Sequence, residues 1–161
     1  MERLWSPWRM EYITSSKDEG CIFCDTIADN DDENNHILHR GEKCYVMLNL
    51  YPYNNGHLLV SPYRHVPSPE QLEEDELTEM MLMVNRSLKV LRQAMHPEGF
   101  NVGINIGKAA GAGIEQHVHI HVVPRWQGDT NFMPVFSQTR VIPELLDETY
   151  QKLKAAWEES E

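Results

Sequence analysis

Three histidines recur at every second position in the run Gln116-His117-Val118-His119-Ile120-His121-Val122-Val123-Pro124. Side chains of an extended strand alternate between its faces. His117, His119 and His121 therefore share one face, and Val118, Ile120 and Val122 take the other. Successive rings on that face stand about 7 Å apart. Such a row is a poor packing solution, because each imidazole needs a hydrogen-bond partner when buried and charging the rings together is repulsive. The row points to chemistry instead, and two kinds fit. Alternating histidines can ligate a metal. Equally, an imidazole, with an ordinary pKa of about 6.5, can act as nucleophile or general base.

Two further motifs bear on the choice. Gly107-Lys108-Ala109-Ala110-Gly111-Ala112-Gly113 precedes the histidines. Small residues let backbone N–H groups approach an anion closely, so this loop reads as a phosphate cradle. Far upstream, Cys21-Ile22-Phe23-Cys24 forms a CxxC. One such pair supplies half of a tetrahedral zinc site. It lacks the βαβ surroundings of a thioredoxin-like motif, and a pair of metal-free thiols is the other reading. Cys44 falls on an expected strand and reads as a core residue. His36, His39 and His96 read as surface or satisfied side chains.

The elements that must position these groups follow from periodicity. His36–Arg40 and Lys43–Asn49 flank Gly41-Glu42 and read as a hairpin. Gly56–Tyr63, residues 100–106 and His117–Pro124 read as three more strands, with turn chemistry in the intervening Leu50–Asn55. Leu77, Met80, Met81, Val84, Leu88, Leu91 and Met95 mark one face of a helix over 74–96, which His96-Pro97 and Gly99 end. Its methionines read as core filler. The acids of residues 70–79 read as a solvated, dipole-favoured helix start. Pro143–Glu158 is a second helix, with Leu145, Leu146, Leu153 and Trp157 as its apolar positions, and residues 25–35 read as a solvated acidic loop. This order predicts an α+β fold: an antiparallel sheet of about five strands, one long helix and a C-terminal helix. Residues 1–20, with Trp5, Trp8 and Tyr12, read as an N-terminal arm that packs on its own domain or a partner subunit. A domain over 21–135 and a C-terminal helical extension over 136–161, packed on the same domain, complete the expected organisation.

Composition bounds the function. The chain has 161 residues, with 14 Lys and Arg against 25 Asp and Glu, a net charge of −11. That balance argues against binding nucleic acid through a basic surface. It leaves room for a small phosphate ligand held by backbone amides and histidines. No apolar run is long enough to span a membrane. The N-terminal sequence lacks the apolar core of a secretory signal, so the expected location is the cytoplasm.

With these residues in view, His117-Val-His119-Ile-His121-Val-Val resembles the motif of the histidine-triad (HIT) family, over roughly residues 20–125. Asn49, Gly56-His57, the Pro-Tyr-Arg-His ending at His65, Asn105 and the glycine loop fall where that family places corresponding features. The stretch Pro124–Pro134 and the opening Leu4–Met10 resemble the bacterial and archaeal branch that cleaves diadenosine polyphosphates. The resemblance implies a HIT-like fold and a nucleotide substrate, with adenine expected as its base. It makes His119 the nucleophile that attacks the α-phosphate and forms a nucleotidyl-histidine. Water or phosphate then releases a nucleoside mono- or diphosphate. His121 would contact the phosphate and His57 would support the pocket. Asn49 would bind ribose, while Asn105 and the backbone of Gly111, Ala112 and Gly113 would hold phosphate oxygens. The resemblance also implies a structural zinc on Cys21, Cys24, His65 and His117, and a homodimer built on the long helix and central strands. No metal is needed for the chemical step in this picture. A nucleoside phosphoramidate hydrolase, a zinc-stabilised nucleotide-binding protein without significant catalysis, and a metal-dependent hydrolase are the alternatives.

Overall fold

The computed structural model describes residues 20–129 and 142–160. Trp5, Trp8 and Tyr12, and the end of the 21–135 segment, lie outside the described residues. The elements are α1 (Ile22–Ala28), β1 (Ile37–Arg40), β2 (Cys44–Leu48), β3 (Leu58–Pro62), α2 (Glu74–Met95), β4 (Gly99–Ile104), β5 (Ile120–Arg125) and α3 (Leu146–Glu159). The five strands form one sheet in the order β1-β2-β3-β5-β4, antiparallel at every pairing. The expected α+β class and strand count are both present.

The period-two pattern explains which side chains go where. Cys44, Val46 and Leu48 of β2, Leu58 and Val60 of β3, and Ile120 and Val122 of β5 face one side of the sheet. There they meet Met80, Val84, Val90 and Leu91 of α2 and Tyr150, Leu153, Ala156 and Trp157 of α3 in the main core. The alternate residues, Tyr45, Met47 and Leu59, face the other side, where Phe23 of α1 and Ile37 complete a smaller cluster. Both faces are covered, so all five residues of β2 are buried. The histidines lie on the smaller cluster's side.

Several expectations shift. The polar stretch read as a loop over 25–35 begins inside α1, because the segment from Ile22 folds as a helix with Phe23 buried. The α2 stripe is rotated: Leu77 and Met81 are exposed, while Ser87 and Val90 are buried. Two of its acids are not simply solvated. Glu76 is buried, closes a capping box with Glu73 and pairs with Arg64 at 2.7 Å. Glu79 accepts the Lys43 N–H at 3.0 Å, tying α2 to the first hairpin. Leu145 precedes α3 and is exposed. His96 closes α2 in the left-handed conformation, φ 49° and ψ 50°, a place glycine more often fills.

Gly56 is required where it stands. Its φ is +74°, and a Cβ there would lie 2.6 Å from Met95 Sδ. This turn, pressed against the end of α2, feeds β3 into register with Leu58 opposite Leu48. The fifth strand starts at Ile120, not His117. Just before it, the Val118 N–H turns to the Val66 carbonyl at 2.8 Å and leaves the ladder. Alternation nonetheless persists through the segment, with Val118 in the main core.

Candidate active site and metal centre

His119 is 7% exposed. Its Nδ1 lies 2.8 Å from the main-chain oxygen of His117. A carbonyl only accepts, so Nδ1–H donates, and Nε2 of the neutral ring keeps its lone pair. Burial pushes the His119 pKa below the ordinary imidazole value, against the opposing pull of the bond to the His117 carbonyl. A buried, neutral, oriented imidazole with one available nitrogen is suited to nucleophilic attack. The Phe23 ring packs on it, centroids 4.7 Å apart.

A second chain of rings stands beside it. His57 precedes β3 and is wholly buried. The Tyr53 N–H donates to His57 Nδ1 at 3.0 Å, and Asn49 Nδ2 lies 3.3 Å from the same nitrogen. His57 Nδ1 is thus an acceptor, and the proton of the neutral ring sits on Nε2. That N–H donates to His121 Nδ1 at 3.0 Å. His121 in turn carries its proton on Nε2, and Asn105 Nδ2 lies 3.5 Å from it. Two donors converge on one space, an arrangement an anionic oxygen satisfies. The Tyr53 ring stacks on His121 at 5.5 Å and holds its plane.

The glycine loop carries a short 3-10 turn over Lys108–Ala110, with Gly107 and Gly111 at φ +76° and +87°. Ile114, just after it, packs on the smaller cluster that holds Phe23 and Tyr45, which anchors the end of the loop on the histidines' side of the sheet. Asn49 lines a shallow recess with Ile22, Phe23, Thr26, Met47, Leu50, Tyr51 and Leu59. A larger cavity, about 560 Å³, lies at the end of α2 between Asn54, Met95, Trp126 and Lys152; no triad histidine lines either space, and the recess reaches His119 through Phe23.

Cys21, Cys24, His65 and His117 converge, one ligand atom from each within 4.8 Å of the others. Cys21 Sγ is 3.3 Å from His117 Nδ1, Cys24 Sγ is 3.6 Å from His117 Nδ1 and 3.5 Å from His65 Nδ1, and the two Nδ1 atoms are 3.3 Å apart. A zinc tetrahedron with ordinary bond lengths has S···N edges of about 3.5–3.6 Å and N···N edges of about 3.3–3.4 Å. The cluster therefore fits the ion. The His117 ring also has the right tautomer: Nε2–H donates to the Pro62 carbonyl at 2.8 Å, leaving the Nδ1 lone pair aimed at the other three ligands. Burial pushes the His117 pKa down, and burial with the neighbouring Cys21 pushes the Cys24 thiol up to about 11. Cys44 is apart, in the main core, its pKa raised by burial to about 12.

Of the candidate site residues, His57, His121 and Asn105 form one linked group beside His119, Asn49 borders the recess and touches His57, Gly111, Ala112 and Gly113 lie in the loop before the triad, and Cys21, Cys24, His65 and His117 form the Cys/His cluster. Sequence reasoning missed Phe23 and Tyr53. Phe23 lay inside the CxxC, where its place between two ligand positions was the available signal. Tyr53 acts through its main chain and ring plane, and nothing in the turn sequence marked it.

A HIT domain model matches residues 30–128. The chain belongs to the histidine-triad (HIT) family. It is 40% identical to a Mycobacterium tuberculosis protein named "AP-4-A phosphorylase", across 98% of this chain and 85% of the relative. Among solved structures it resembles a zinc-bound histidine triad family protein from Mycobacterium smegmatis, with TM-score 0.70 and 26% identity over 87% of this chain and 94% of that one. It also resembles a hypothetical histidine triad nucleotide-binding protein from Sulfolobus tokodaii, with TM-score 0.67 and 30% identity over 87% and 91%.

Proposed function

We propose that the chain is a nucleotidyl hydrolase or transferase that cleaves dinucleoside polyphosphates, diadenosine polyphosphates first among them. The observation that carries this reading is His119, buried and neutral, with Nδ1–H held by the His117 carbonyl and Nε2 left for attack. Nε2 bonds to the α-phosphorus, and the bridging P–O bond breaks, its electron pair leaving with the nucleoside polyphosphate. The incoming oxygen of water or phosphate then bonds to phosphorus, and the N–P pair returns to Nε2. Water yields a nucleoside monophosphate and a proton; phosphate yields a nucleoside diphosphate. The His121 Nε2–H and Asn105 amide stabilise the phosphoryl oxygens, with the backbone of Gly111, Ala112 and Gly113 as a further cradle. His57 fixes the tautomer of His121. Asn49 borders the recess and takes the ribose hydroxyls, with the base beyond it against Phe23 and Met47.

Zinc on Cys21, Cys24, His65 and His117 serves as a cross-link between α1 and the triad segment. The zinc-bound relative and the tetrahedral edges support that assignment. The whole-chain similarity to a protein named as a phosphorylase favours phosphate as acceptor. We extend the proposal to the expected homodimer; besides the long helix and central strands, the β4 edge exposes Val102 and Ile104, with Ile106 just beyond it. A cytoplasmic site of action suits cysteines kept reduced, two of them turned to the metal cluster and Cys44 buried in the main core. Among the described residues no helix is long and apolar enough to cross a membrane.

One experiment tests the reading. The protein is incubated with diadenosine tri- and tetraphosphate, with and without phosphate, and the products are identified. A phosphate-dependent nucleoside diphosphate supports phosphorolysis, and a monophosphate supports hydrolysis. Turnover of adenosine phosphoramidate alone would replace the substrate class.

A further inference from the structure

The short helix α1 touches three things at once. Cys21 precedes it and Cys24 lies in its first turn, both turned to His65 and His117. Ile22, Phe23 and Thr26 line the recess beside Asn49. Phe23 also lies against the metal-cluster ring of His117, centroids 5.1 Å apart, and against His119 at 4.7 Å.

Little in α1 itself keeps it there. It has seven residues and no side-chain cap at its start, and an isolated helix of that length is unstable in water. Its ties to the sheet include the packing of Phe23, the Tyr45 hydroxyl donating to the Phe23 carbonyl at 3.2 Å, and Arg40 donating to the Ile27 carbonyl at 3.1 Å. A metal on the four ligands adds two covalent-strength links at the first turn of α1, the turn that also carries Ile22 and Phe23 of the recess.

We propose that the metal centre sets nucleobase affinity by holding α1 as the wall of the base recess, and that Phe23 is the positioning residue through which the same restraint reaches the His119 ring. This rests on the nucleotide-site reading above. Stripping the metal loosens Ile22, Phe23 and Thr26 but not the phosphate donors, which are Asn105 just after β4, His121 on β5 and the backbone of the glycine loop. Binding energy from the base is lost, while that from the phosphate is kept. Phe23 loses its backing from His117, so the reacting ring is less confined.

The 161-residue protein is compared zinc-loaded and chelator-stripped, with AMP and ribose 5-phosphate titrated against each. The expected result is a loss of about tenfold in AMP affinity, equivalent to about 1.4 kcal/mol, with ribose 5-phosphate changing by no more than about twofold. Amide exchange should speed up in residues 21–28 and stay slow in β2 and β3. In the zinc-loaded protein, Ile22→Ala raises KM for diadenosine tetraphosphate at constant kcat, whereas Phe23→Leu also lowers kcat. Equal weakening of AMP and ribose 5-phosphate, or no change in either, overturns the proposal, as does an unaltered kcat in folded Phe23→Leu. A loaded protein that binds no zinc also overturns it. Failure of the zinc-loaded protein to bind AMP at all overturns the nucleotide reading itself, a separate result from loss of the metal effect.

Discussion

His57 provides a test of the proton arrangement in the site. It accepts from the Tyr53 N–H on one nitrogen and donates to His121 on the other, each at 3.0 Å. His57→Asn keeps an acceptor near the first position and lacks the reach to donate at the second. His57→Gln places an amide N–H near the second and loses the first. Withdrawing the donor from His121, a half-buried ring, costs between the net worth of a hydrogen bond and that of an orphaned buried group, about 1–2 kcal/mol. If that cost falls on the orientation of the His121 Nε2–H in the transition state, kcat drops about 5–30-fold. The assay is steady-state kinetics on diadenosine tetraphosphate for both variants, with urea unfolding to separate stability from catalysis. His57→Asn should carry the kcat loss and His57→Gln should stay within a few-fold of the parent. Nitrogen NMR shifts of His121 give an independent reading of the tautomer. Equal kcat in the two variants, or a His121 proton found on Nδ1, would refute the reasoning.

His119→Asn should abolish turnover of dinucleoside polyphosphates while urea unfolding shows an intact fold; full activity would remove the nucleophile assignment. Trp157 is 1% exposed in the main core, with Arg86 over its ring at 4.7 Å, so Trp157→Ala should cost about 3–5 kcal/mol in urea unfolding. Burial opposes ionisation of Glu144, but hydrogen bonds from Lys152, Thr149 and Asn55 outweigh it and hold the carboxyl below its usual range. Its stabilising share is present above the unfolded-state pKa and is lost as pH falls through the lower folded value. Glu144→Gln should therefore destabilise the protein at pH 7 by about 1–2 kcal/mol and flatten its stability profile below about pH 4.5.

The strands of this protein were legible because alternation is a local signal. Cys44, Val46 and Leu48 going one way and Tyr45 and Met47 the other needs no knowledge of distant residues. The helix α1 was not legible for the converse reason. Seven residues hold two turns, too few for a 3.6-residue period to show, and what makes them helical is Phe23 finding the far face of the sheet. In α2 the period was visible but its phase was not. Two apolar stripes overlap there, and α3 and the sheet select the one with Met80, Val84 and Leu91 over the one with Leu77 and Met81. The triad stood out as a row, whereas its supports did not. The Tyr53 N–H and the His117 carbonyl are main-chain groups, and residue identity says little about where they point.

That last feature bears on how the site can change over generations. The group that orients the His119 ring is the peptide oxygen of residue 117, two positions away along the same chain. No substitution of a side chain deletes a peptide oxygen. Drift at neighbouring positions can shift affinity, substrate range or stability, yet the bond that presents His119 survives any replacement that preserves the local backbone. The proposed nucleophile is insulated from point mutation in a way that a ring held by a carboxylate is not, and losing it takes either replacement of His119 itself or refolding of the segment around it.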